Sequence, residues 1–283
     1  MKEALFYEKL NDGTVKCWLC PHYCRIKSGG TGLCSVRKNN GGTLYATSYG
    51  QIASIALDPI EKKPLKHFHP CTQILSVGSY GCNMKCPYCQ NHRISQEKPE
   101  TKYISPQELL KIAKGYKGNI GIAFTYNEPL ISPEYILDTA PLFKKAGLEV
   151  ILITNGLINP EPLKALLPHM SAMNIDLKAF AREEYKHMLH GCLYTVENTI
   201  EEAAKHCHVE ITSLIVPKLN TDLDDWEYQA EFLEHISPNI PLHISRFFPQ
   251  YRMTNCEPTP IETMKALADI AKKRLKNVYL GNV

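Results

Sequence analysis

Cys82, Cys86 and Cys89 stand with three and then two residues between them in the run Gly81-Cys82-Asn83-Met84-Lys85-Cys86-Pro87-Tyr88-Cys89-Gln90-Asn91. Three thiolates at that spacing fit a tight loop wrapping one face of a cubane cluster. Protein-bound [4Fe–4S] clusters usually take four cysteines, so three leave one iron open, much as a three-ligand zinc keeps a position for substrate. The amine and carboxylate of an amino acid can chelate such an iron. The competing assignment is a structural zinc loop completed by Cys71 or His92. Zinc ribbons, however, present paired two-residue spacings, and a three-then-two spacing is atypical of them.

A second group, Cys17, Cys20, Cys24 and Cys34, places four thiols within eighteen residues. Four soft ligands suit tetrahedral zinc or a second iron–sulfur cluster, and softness does not separate the two. His22 could replace one of them. Cys71, Cys192, Cys207 and Cys256 are scattered singles read as inert, with Cys71 expected as a buried small hydrophobe. Clustered thiols of this kind suggest metal or catalysis in a reducing compartment rather than disulfides.

The rest of the composition narrows the class. At 283 residues and 44% hydrophobic, the chain can bury a full-sized core. Lys+Arg of 32 against Asp+Glu of 29 leaves a net charge of only +3, which gives no basic stripe and no argument for nucleic acid. No apolar stretch of membrane-spanning length occurs. Residues 1–10 carry Glu3 and Glu8 and lack the order of a signal peptide, so a cytoplasmic protein is expected.

Elements must hold these cysteines in place. Residues 1–72 hold the Cys17–Cys34 group, a glycine-rich stretch and short strand-like runs at 43–49 and 52–57, and read as a small metal-held module. Residues 58–70 read as a connector. From residue 73 to 283 apolar β-branched runs at 74–77, 120–124, 150–153, 173–177, 209–216 and 242–247 alternate with helix-like stretches at 106–116, 133–146, 161–167, 196–206, 223–236 and 261–275. Ser105 and Ser132, each before a proline, mark two helix starts, and Gly147 marks a stop. Alternation of this kind predicts an α/β fold of parallel strands with right-handed crossovers, curled into a partial or complete barrel. Ligands then sit at the carboxyl ends of the strands.

With Tyr88 just before its third cysteine, the first group resembles the radical SAM superfamily motif. The resemblance continues at successive strand ends, in Thr125-Tyr126-Asn127-Glu128-Pro129, Thr154-Asn155-Gly156 and Asp176-Leu177-Lys178. It implies a partial (β/α)6 TIM-like barrel, a [4Fe–4S] cluster on Cys82, Cys86 and Cys89, and S-adenosylmethionine cleaved by one electron to a 5′-deoxyadenosyl radical that abstracts hydrogen from a substrate. Flavodoxin or ferredoxin would donate the electron. Tyr88, Asn127, Glu128, Asn155, Lys178, His243 and Arg246 are the implied cofactor-binding positions. Glu128 would place the methionine amine, and the backbone near Tyr88 the adenine. Arg246 or Lys178 would meet the carboxylate, although Lys178 could also snorkel to solvent. His243 would line ribose or substrate, or stand as a satisfied core histidine.

The Cys17–Cys34 block, the Phe124–Pro129 stretch and Ser245-Arg246-Phe247-Phe248-Pro249 are similar to the AmmeMemoRadiSam radical SAM enzymes, related to pyruvate formate-lyase activating enzymes. That branch implies Memo-like and AMMECR-like companion proteins. Two departures stand out: no cysteine pair follows Gly281-Asn282-Val283, and Ile153 replaces the carboxylate that activases often carry before Thr-Asn-Gly. The rival functions are a glycyl-radical activase and a non-catalytic zinc-binding interaction protein.

Overall fold

The computed structural model describes residues 1–283. Its centre is an eight-stranded sheet in which every strand lies beside its neighbour in the chain. Six parallel strands match the six apolar runs: Gln73–Gly78, Asn119–Phe124, Glu149–Thr154, Ala172–Asp176, His208–Ile215 and Leu242–Arg246. Val278–Gly281 extends the sheet in parallel at one edge. Ser54–Pro59 extends it antiparallel at the other, pairing with Gln73–Gly78. The two edge strands do not pair with each other, so the barrel stays partial. Residues of the Val278–Gly281 edge, of the segment just after the Ser54–Pro59 edge and of strands between them line one cavity, around which the sheet curls.

Helices cover the outer face for local reasons. The Pro106–Gly115 helix starts with a capping box, Ser105 accepting from the Glu108 amide while the Glu108 side chain accepts from the Ser105 amide. Asp222 caps Leu223–Ile236 by accepting from the amides of Asp224 and Asp225. Ser132, the other expected cap, makes no cap bond. Its hydroxyl lies 2.8 Å from that of Ser48, tying the N-terminal region to the barrel.

The structure redraws the first seventy residues in two ways. The division expected at residue 72 crosses a hairpin, because the 54–59 run belongs to the main sheet. The 58–70 connector is a packed floor: Ile60 and Leu65 are buried against Ile74, Ala123, Ile151 and Ala172, and Pro64 lines the cavity. The remaining N-terminal residues form small sheets whose Val15, Leu19, Ile26 and Leu44 join the same apolar core as the barrel. A buried ion pair crosses the seam, Arg37 Nη1 donating to Glu134 Oε1 at 3.0 Å, 97 residues away. Cys71 is exposed in a left-handed turn, not buried, and its amide donates to Glu61.

Candidate functional site at the strand ends

The 82–89 loop leaves the carboxyl end of the first parallel strand, and other parts of the chain hold its backbone. Gly81 N donates to Ile94 O at 2.8 Å, Lys85 N to Leu189 O at 2.9 Å, and Arg252 N to Pro87 O at 2.9 Å. Close approach explains Gly78, since a Cβ there would meet the Thr125 carbonyl and Tyr126 Cβ at 2.9 Å. All three sulfur-bearing residues line one cavity of about 630 Å³, within the range of small-molecule sites.

The strand ends supply the opposite wall. Glu128 follows the second strand and is 3% exposed. Its Oε1 accepts from Thr154 Oγ1 at 2.6 Å and Leu130 N at 3.0 Å, and its Oε2 accepts from Asn155 N at 2.8 Å. Burial pushes its carboxyl up to about 7 against the pull of those donors. Asn155, after the third strand, donates from Nδ2 to Asn83 Oδ1 at 2.9 Å and towards Cys82 Sγ at 3.6 Å. Its own Oδ1 accepts from Leu157 N, which fixes the amide orientation. Lys178, after the fourth strand, is held by Asp176 at 2.8 Å, and that charge keeps its ammonium firmly protonated despite burial. The snorkelling alternative is thereby set aside, because the Lys178 side chain is only 16% exposed.

Other expected positions turn out differently. Asn127 lines the cavity, but its side chain serves the backbone before Cys82. Its Oδ1 accepts from Ser79 N, and its Nδ2 donates to the Tyr80 and Gly81 carbonyls. Its place is therefore that of a positioning residue. Arg246 is a correction: Nε donates to Thr259 O at 2.7 Å and the guanidinium lies over the Phe248 ring, away from the cavity wall. His243 lines the cavity and is also satisfied, its ring nitrogen lying 2.6 Å from Glu210 Oε2. Tyr88 is buried on the wall with no partner for its hydroxyl.

Two features were missed in the sequence. Glu210 is wholly buried yet held at about 2, because donors from His208, His243 and the amides of Lys66 and His67 outweigh the upward push of burial. The alternation of His208, Glu210 and Thr212 along one strand was the available signal for an inward polar face. The second feature is Asp58, which takes Lys63 at 2.8 Å and the Tyr126 hydroxyl at 2.6 Å. Nothing local announced it, since Tyr126 lies 68 residues on.

Neither candidate for a fourth ligand completes a metal-holding group with the three thiols. Cys71 precedes, and the loop follows, the six-residue Gln73–Gly78 strand, which at 3.3 Å per residue separates them by about 20 Å. His92 stacks on Tyr251, and its Nδ1 lies against the Cys89 carbonyl oxygen. The cavity instead offers three thiols, a carboxylate, an amide donor near a sulfur and an unpartnered buried hydroxyl, which suit a cluster together with a polar amino-acid cofactor.

The Radical SAM superfamily profile matches residues 76–233, more than half of the chain. The chain belongs to the radical SAM superfamily. Its superfamily uses a [4Fe–4S] cluster and S-adenosylmethionine, and its homologues are enzymes. An uncharacterised protein of Methanocaldococcus jannaschii is 44% identical over 100% of this chain and 86% of its own. A second protein of that organism, provisionally named a glycyl-radical enzyme activating enzyme, is 27% identical over 72% of this chain and 79% of its own. The solved domain of pyruvate-formate lyase-activating enzyme from Bacteroides vulgatus superposes with a TM-score of 0.50 at 19% identity, covering 57% of this chain and 99% of that domain. This radical SAM chain shares the fold of that domain, and no helix in it is long and apolar enough to cross a membrane.

Proposed function

We propose that this radical SAM enzyme cleaves S-adenosylmethionine reductively and abstracts hydrogen from a substrate held in the same cavity. The observation carrying this reading is that Cys82, Cys86, Cys89, Glu128, Asn155 and Lys178, from four successive strand ends, line one cavity. When bound and reduced, the cluster supplies the electron that releases methionine and the 5′-deoxyadenosyl radical. The chain's own residues bind and orient. Cys82, Cys86 and Cys89 hold the cluster as thiolates, and Asn155 donates towards the Cys82 sulfur. Glu128 would accept from the methionine amine, its carboxylate aimed by Thr154, Leu130 and Asn155. Lys178, kept charged by Asp176, faces the methionine carboxylate, and the backbone beside Tyr88 takes the adenine. His243, steadied by Glu210, faces the substrate end of the cavity.

Within the superfamily we assign the chain to the AmmeMemoRadiSam branch, on the strength of its Cys17–Cys34 block and its 124–129 and 245–249 stretches. Flavodoxin or ferredoxin is then the electron donor, and Memo-like and AMMECR-like proteins are companions. The glycyl-radical activase reading is favoured by the relative named for that activity.

Anaerobic protein given S-adenosylmethionine and dithionite is expected to form 5′-deoxyadenosine. A yield no higher than that of the Cys82→Ala/Cys86→Ala/Cys89→Ala variant sinks the proposal. Zinc without iron in the reconstituted wild type would return the chain to a non-catalytic zinc protein. Glycyl-radical formation on a co-purified enzyme, read by electron paramagnetic resonance, separates the activase from the branch proposed here.

A further inference from the structure

A second set of thiols lies outside this site. Cys17, Cys20, Cys24 and Cys34 line one small cavity together with Arg37 and Ile131. Cys17 and Cys34 are buried, and Cys20 and Cys24 are half-buried. The cavity measures about 10 Å³, room for one water-sized body. Local folding gathers the four: Cys17 N donates to Cys24 O at 3.0 Å, closing the loop that carries Cys20. Gly32 lies against the group, since a Cβ there would be in ordinary contact with the Cys24 sulfur at 3.7 Å.

An independent observation points the same way. Arg37 is 1% exposed and forms part of the cavity wall. Its Nη atoms donate to Glu134 and to the Leu5 and Ile131 carbonyls, but its Nε has no partner. A buried cationic donor left over beside four thiols can take a thiolate as its acceptor, although Glu134 Oε2 beside it is also without a partner.

We infer that Cys17, Cys20, Cys24 and Cys34 bind a single thiophilic divalent cation, zinc by its preference for a closed four-thiolate tetrahedron. The sulfurs line the cavity but do not converge on one ion in this structure, so binding requires them to close up and to release their protons. The site also abuts the cluster loop. The Asn83 carbonyl accepts from His22 Nε2 at 2.7 Å, and a Cβ at Gly81 would lie 2.6 Å from the Cys34 carbonyl. Metal binding therefore braces the backbone on both sides of Cys82.

The full-length Cys82→Ala/Cys86→Ala/Cys89→Ala protein, purified anaerobically, isolates this site. One zinc per chain and no iron is the expected result, the zinc passing to a colorimetric chelator when the thiols are modified. Adding Cys20→Ser and Cys24→Ser is expected to remove it, with circular dichroism reporting the fold. Iron and sulfide in place of zinc overturn the single-ion assignment. No bound metal in the triple variant, or zinc unchanged by the serine substitutions, overturns the site. With the cluster cysteines intact, Cys20→Ser/Cys24→Ser should lower the iron retained after reconstitution several-fold, and unchanged iron overturns the bracing.

Discussion

The two cysteine groups use the same ligand atom, and their backbones touch, yet their surroundings set them apart. Cys82, Cys86 and Cys89 face a cavity of about 630 Å³ whose other wall is built from polar strand ends. The N-terminal four face about 10 Å³, closed by Ile131, Ile26 and a buried Arg37. A three-thiol wall on an open space leaves coordination free for a reacting molecule, whereas four thiols around a closed one leave none. The difference teaches that ligand count and enclosure go together: the incomplete set lies where other residues can meet a cofactor, and the complete set lies in a structural seam.

The strongest way to break this contrast is the Cys82→Ala/Cys86→Ala/Cys89→Ala variant. It is expected to form 5′-deoxyadenosine only at the protein-free background while keeping its N-terminal metal. Loss of both together would mean one shared site. Next comes the seam. Arg37→Met leaves Glu134 buried without its partner and should cost about 3–5 kcal/mol in urea unfolding, most of it recovered in Arg37→Met/Glu134→Leu. Failure of that recovery would make Arg37 more important to the thiols than to Glu134.

Glu210→Gln sharpens the contrast from the barrel floor, at a cost of about 2 kcal/mol. The folded carboxyl is held at about 2, below its ordinary 4.5. Its stabilisation is therefore complete above about 4.5 and is lost as the pH falls from there towards 2. The Gln variant should lack that part of the acid slope in a pH series of melting temperatures. Asn155→Ala removes the donor near Cys82 and should weaken cluster retention about ten-fold, read as iron lost to a chelator, with N-terminal zinc unchanged. The smallest effect is expected from Ser105→Ala, about 1 kcal/mol from a lost helix cap with no change in either metal.

Much of this was legible from short-range pattern. Six parallel strands follow apolar runs of strand length, and the Ser105 cap follows a local signature, because both are set by neighbours in the chain. Side-chain direction was not legible. Arg246 was expected at the cofactor and is turned away by Thr259 and Phe248, and Asn127 turns to the backbone it supports. The 58–70 connector became a floor because Glu210, more than a hundred residues on, accepts its amides.

By itself, then, the sequence determined the thiol spacing, the strand and helix alternation and the strand-end motifs, all properties of residues a few positions apart. Only the tertiary structure decided which polar side chains share the cavity, how Arg37 and Glu134 join the N-terminal region to the barrel, and that the four-thiol group rests against the cluster loop. Those are contacts between distant segments, and packing rather than spacing chooses among the directions a side chain can take.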